Sequence, residues 1–368
     1  MAEHLIERNR IEKGSQEWAA FSKFVKPPRE PGRTLDRVPH NILFTRKLVR
    51  TFDMPLPFTL PNGKNTLRMW VIGDPNRADT FPGPLVRVRS GQTVHIDTGT
   101  ATGPHTIHWH GIEGTPMNDG VGKHSFEIHG NYTYQWTARE PGFFFYHCHR
   151  NTPLHFEMGL YGALIVDLPE GPGYVRAYSP ETNHLVRFDA EVIWVCGAHD
   201  HRWRNYSHGY GMHVPNLLGE LDPNDPAAFP DEGGALGDWR PSVFTVSGAV
   251  AKNATTVITD ARATGRAKVG QTVLIRLLNA SYAIQEYRLG VDALVIAQDG
   301  RSYGVPPFGS YSEPFWIKAG TPFQLTSAMR YDILVRPTAP GTIPMQIDYW
   351  DWVGATLRGR AKTQIIVS

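Results

Sequence analysis

The run GFFFYHCHRNTPLHFEMGL, residues 142–160, sets His147, Cys148, His149, His155 and Met158 beside three consecutive phenylalanines. An apolar run of this kind reads as a buried strand. Burying imidazoles and a thiol there costs free energy unless something pairs with them. A thiolate, an imidazole and a thioether close together on one loop are soft and borderline metal donors. With a second imidazole they make a trigonal His2Cys set with a weak axial Met, which suits copper in electron transfer. The loop supplies Cys148, His155 and Met158. His105, just ahead of TIHWHG, is the candidate for the second imidazole, because Greek-key pairing can bring a distant strand alongside. Structural zinc is the competing metal, but it favours several cysteines and no methionine.

The other imidazoles sort by strand alternation. His108 and His110 are two apart, so on a strand they share a face. His147 and His149 are also two apart, on the face opposite Cys148. This predicts two metal sites, one strand's thickness apart, joined through the His147–Cys148–His149 backbone. His95, His124 and His129 have no partner pattern. His199 and His201 form an HxH in GAHDHRWRN, with His208 and His213 nearby; a surface loop is the expectation, ligation the alternative. Asp119 lies in MNDGVG, where N-D-G is a turn signal on its own. Cys196, in EVIWVCG, reads as a buried free thiol.

The elements that must position these residues are strands. Gly 36 and Pro 29 in 368 residues, with many short Val/Ile/Thr/Tyr/Phe runs, predict an all-β chain with many turns. The length favours two domains. Residues 1–45 read as an N-terminal extension with one short helix near 15–24. Residues 46–168 read as a Greek-key β-sandwich, 169–186 as an unpatterned Pro/Gly-rich linker, and 187–368 as a second sandwich. RSGQTVHI at 89–96 is echoed by KVGQTVLI at 268–275, and GALIVD at 162–167 by TQIIVS at 363–368. Two echoes in the same order suggest two copies of one plan. Where the first copy has PHTIHWHG, the second has NASYAIQEYRLG, with no histidine. FFFYHCH corresponds to TIPMQIDYW. Metal chemistry is therefore expected in the first copy, or between it and residues 199–213.

HxxHxH (His105, His108, His110), then HCH with a downstream His and Met, resembles the copper-binding domain of multicopper oxidases. Copper nitrite reductases share the cupredoxin fold. FPGPLVRVRSGQTV also looks like a cupredoxin lead-in. The resemblance implies two cupredoxin-like domains, a type 1 copper on His105, Cys148, His155 and Met158, and type 2 or type 3 coppers on His108, His110, His147 and His149. It implies a proton-relaying role for Asp119. It implies a laccase-like oxidase that takes single electrons from a small-molecule or protein donor and reduces dioxygen, assembled as a homotrimer. The Cys-to-His separation of seven and His-to-Met separation of three depart from the usual five and five, which touches Met158. A full trinuclear cluster needs eight imidazoles in four HxH pairs, and this domain supplies two pairs.

Two other readings fit the residues: a nitrite-reductase-like enzyme with one type 2 copper, and a blue copper electron carrier. Net charge is +2 with neutral histidine, so no nucleic-acid partner is expected. No apolar run is long enough for a membrane helix. The charged start MAEHLIERNR does not read as a signal peptide, and the compartment stays open.

Overall fold

The computed structural model describes residues 41–100, 105–121, 128, 130–206, 239–307, 309, 312–351 and 353–368. The helix expected near 15–24, and His124, His129, His208 and His213, lie outside the described residues. Among the described residues, no helix is long and apolar enough to cross a membrane.

Among the described residues, the first sandwich has eight strands: β1 (Asn41–Pro55), β2 (Thr66–Gly73), β3 (Gly83–Arg89), β4 (Thr93–Thr100), β5 (His108–His110), β6 (Asn131–Thr137), β7 (Gly142–His147) and β8 (Tyr161–Asp167). One sheet runs β2-β1-β4-β6 and the other β3-β8-β7-β5. Their facing side chains make one core, in which Ile72, Val94, Trp109, Trp136, Phe144 and Leu164 meet. β1 starts at Asn41, inside the stretch read as extension, because residues 41–48 already pair in parallel with β4.

The stretch read as a linker is not unpatterned. β9 (Tyr174–Arg176) and β10 (Leu185–Arg187) pair as a hairpin. Val175, Ala177 and Phe188 bury against Leu274 and Ile296. The Pro/Gly content sets the turns of this hairpin, and its three apolar anchors bind it to the second sandwich.

The second sandwich holds β11 (Ala190–His199), β12 (Val243–Val246), β13 (Ala249–Val250), β14 (Gly265–Ala267), β15 (Val273–Asn279), β16 (Ile284–Leu289), β17 (Ala293–Gln298), β18 (Arg301–Ser302), β19 (Phe315–Ile317), β20 (Pro322–Leu325), β21 (Arg330–Val335), β22 (Gly341–Asp351) and β23 (Thr356–Val367). Its pairings repeat those of the first. β11 is parallel to β15 as β1 is to β4, and β14 is parallel to β23 as β3 is to β8. β23, β22 and β16 lie side by side as β8, β7 and β5 do. β16 and β22 thus stand where β5 and β7 stand, and they carry no histidine. The two GQTV segments open β4 and β15, the equivalent strands.

The sandwiches share a core. Phe143, Phe145 and Phe156 pack with Val195, Val243, Leu278 and Ala280. Arg87 bridges Asp167 and Glu191, and Arg276 bridges Glu191 and Asp332. This accounts for the three phenylalanines. β7 is buried on both faces, Phe144 and Tyr146 facing its own sandwich and Phe143 and Phe145 the other. A strand covered on both sides reads as a continuous apolar run.

Candidate metal centre

Strand alternation carries past the end of β7. Cys148 continues the inward face of Phe144 and Tyr146, while His147 continues the outward face of Phe143 and Phe145. Cys148 Sγ lies 3.3 Å from His155 Nδ1 and 3.6 Å from His105 Nδ1. All three residues are fully buried. The donor atoms of His105, Cys148 and His155 lie within 4.8 Å of one another. Burial pushes the Cys148 thiol up to about 11, against the opposing pull of nearby hydrogen bonds. A thiol and two imidazoles converging in a dry pocket are a soft, trigonal donor set, the kind that selects copper.

Two short helices position ligands around the strands: α1 (Pro116–Asp119) and α2 (Thr152–Glu157). His155 sits on α2. This helix begins after Asn151, in the left-handed region at φ 44, and has Pro153 in its first turn. Gly159 ends the loop at φ +111, and a side chain there would run into the Trp70 carbonyl at 2.9 Å. The Trp70 amide donates to the Met158 carbonyl at 2.8 Å, so β2 holds the loop.

Met158 is fully buried and packs with Leu154 and Trp203. Its sulfur accepts from Arg204 Nη1 at 3.4 Å. Arg204 also donates to Glu157 Oε1 at 2.7 Å. That carboxylate accepts from the Asp200 amide at 2.7 Å and from the Trp239 indole at 2.9 Å. The second sandwich's 199–206 turn therefore clasps the ligand helix. Nothing in the local sequence announced Glu157, Arg204 or Trp239; they are joined only by the fold.

The second group lies on the other face of β7 and β5. His108 pairs with His147 across the strands, and the donor atoms of His108, His110 and His147 lie within 4.8 Å. The His149 ring is 5.4 Å from that of His108 and 5.8 Å from that of His147. His108 Nδ1 lies 2.8 Å from the Asp119 carbonyl oxygen, and His147 Nδ1 2.9 Å from the Cys148 carbonyl. A carbonyl only accepts, so both Nδ1 atoms carry the proton and both Nε2 atoms are unprotonated, with His147 Nε2 3.3 Å from His110 Nδ1. Burial holds His147 well below the ordinary imidazole range, and burial together with the Arg330 guanidinium holds His110 down to about 3. Both rings are thus neutral, the form that ligates.

Asp119 sits against His108, with Oδ1 3.3 Å from Nδ1. It is placed by α1, whose Asn118 is buried, donates to Thr115 Oγ1 and accepts from the Gln135 amide. Gly120 closes the helix at φ +74, where a side chain would collide with the Ile107 carbonyl. The N-D-G turn and the contact with His108 are therefore one feature.

His199 is buried between the sandwiches, its Nδ1 3.9 Å from Glu157 and its ring 5.3 Å from that of Phe81. It is not presented at a surface loop. His201 is half-buried and meets Ser242 Oγ at 2.8 Å. Cys196 is a buried free thiol.

The family model described as Multicopper oxidase matches residues 61–171. Multicopper oxidase MmcO of Mycobacterium tuberculosis is 28% identical over 73% of this chain and 48% of its own length. The chain spans less than half the length of the curated relatives it matches. In fold, the chain is similar to a blue copper oxidase from Nitrosomonas europaea, with TM-score 0.61 and 21% identity over 89% of this chain and 86% of that one. It is also similar to the copper nitrite reductase from Nitrosomonas europaea, with TM-score 0.56 and 20% identity over 89% of this chain and 94% of that one. Both donor groups fall within the matched residues, and the fold around them is cupredoxin-like, so the first sandwich is the part of the chain that matches the Multicopper oxidase family model.

Proposed function

We propose that this chain is a copper-dependent, laccase-like oxidoreductase of multicopper-oxidase type. Single electrons enter at the Cys148 group and pass through the His147–Cys148–His149 backbone to the imidazole group, where dioxygen is reduced to water. The observation that carries this reading is the adjacency of His147 and Cys148: consecutive residues whose side chains belong to two different donor groups. When bound, copper supplies one-electron chemistry by cycling between two oxidation states.

The chain's own residues do the rest. His105, Cys148 and His155 would hold the electron-accepting copper, and their full burial would keep water from it. Met158, on the same loop, would offer a thioether as a further weak donor, and its sulfur accepts from Arg204. His108, His110 and His147, with His149 beside them, would hold the second site. Asp119 orients His108 and, with its side chain 29% exposed, can relay protons from solvent. The two sandwiches are read as two domains meeting near 169–186. A homotrimer would let a neighbour complete the second site, since β16 and β22 bring no imidazole to it.

The test is oxygen uptake by copper-loaded protein with an artificial one-electron donor, run beside the Cys148→Ser variant. Uptake that the variant loses supports the oxidase. Nitrite consumption in place of oxygen uptake would replace it with the one-copper reductase. A blue protein that turns over neither would be an electron carrier. Light scattering checks the trimer, and a monomer would remove it.

A further inference from the structure

We propose that Trp70 is the residue through which electrons enter the buried Cys148 centre. The inference rests on the reading of that centre as the electron-accepting copper site. His105, Cys148 and His155 are each 0% exposed. No donor in solution can touch them, so an electron has to cross protein. Electron tunnelling weakens exponentially with the gap, so the path that leaves the centre through the closest-packed groups dominates.

His155 meets the buried His105 ring at 4.9 Å on one side and the Trp70 indole on another. The Trp70 indole meets His155 edge-on, with ring centroids 5.5 Å apart and planes at 77°. Trp70 is half-buried. Leu67, Met69 and Val71 of β2 point into the core shared with the second sandwich, while Trp70 lies on the other face with Ile72 and packs against the first sandwich's own core and against Leu154, Met158 and Trp203. The indole therefore touches the buried imidazole while part of its own surface stays exposed. The backbone fixes the contact too, through the Trp70 amide on the Met158 carbonyl at 2.8 Å.

In the transfer the donor loses one electron, any proton it sheds goes to water, and the copper is reduced by one unit. No bond forms to Trp70. A packing role alone would be satisfied by another large apolar side chain.

The experiment is anaerobic stopped-flow reduction of copper-loaded protein, read as bleaching of the thiolate-to-copper visible absorption. A phenol and hexacyanoferrate(II) serve as the two donors. Trp70→Leu should slow bleaching by about tenfold or more with both donors, with the visible spectrum and midpoint potential unchanged. Trp70→Phe should recover part of the rate. An unchanged rate would overturn the proposal. So would a slowing confined to the phenol, which would make Trp70 a docking face only, or a slowing that tracks an altered spectrum or potential, which would make it a packing residue. Absence of the visible absorption in the unmutated protein would instead sink the reading of the centre itself.

Discussion

Cys148 and His147 differ by one position and face opposite worlds. The thiol points into the first sandwich's core and the imidazole toward the second sandwich. Their types and spacing made both groups readable from the sequence, because few structural needs place His-Cys-His inside an apolar strand. Met158 was less legible. Its sulfur meets Arg204, 46 residues away, and no local pattern encodes that contact. The buried imidazoles also fix a pH dependence. His147 and His199 are held well below the ordinary imidazole range by burial. A histidine depressed in the folded state stays neutral there while the unfolded chain takes up a proton below about pH 6.5. Its stabilising contribution is therefore complete above about 6.5 and is lost as pH falls. His110 acts in the same direction, whereas Glu157, which burial raises to about 8, acts in the opposite one, so the His199 share is read by difference. Urea unfolding of the copper-free protein and of His199→Gln between about pH 7.5 and about pH 5.5 measures it, and the variant should lose less stability as pH falls. An equal loss in both proteins would show that this ring titrates in the fold.

At the scale of elements, two short helices do the positioning, and neither has the length to persist alone. α2 is clasped from the second sandwich by Arg204, Trp239 and the Asp200 amide, all on Glu157, and by the Tyr282 hydroxyl donating to the Pro153 carbonyl. Removing one partner of a buried ion pair leaves the other uncompensated, so Glu157→Ala should cost about 3–5 kcal/mol in urea unfolding. A loss under about 1 kcal/mol would mean that the clasp is not what holds the helix. α1 carries Asp119 to His108 and ends on Gly120 at φ +74. Gly120→Ala should lower the copper bound at the imidazole group and leave the visible absorption of the Cys148 centre intact. Loss of both together would point to a general folding defect. The strands were legible from their alternation, and the repeat from GQTV. The hairpin at β9 and β10 was not, because its three-residue strands carry too little pattern and are fixed by Val175 and Phe188 docking on the second sandwich.

At the scale of the molecule, one strand plan is built twice and furnished with chemistry once. The pairings of β1 to β8 recur in the second sandwich, yet Gln285, Tyr287 and Arg288 on β16 stand on the strand equivalent to the one bearing His108 and His110. The sequence echoes predicted this asymmetry, since topology comes from alternation and turns while ligands are independent of both. The second copy instead serves as support, through the shared phenylalanine core and the Arg87–Glu191–Arg276 ion pairs. On the proposed function, the two adjacent donor groups of the first sandwich hold coupled coppers for dioxygen reduction. The most direct measurement is the EPR spectrum of copper-loaded protein, with spins counted against total copper. Coupled coppers predict a thiolate-copper signal, lost in Cys148→Ser, and fewer spins than coppers, because a coupled pair is EPR-silent. A spin count equal to the total copper would contradict the oxidase reading.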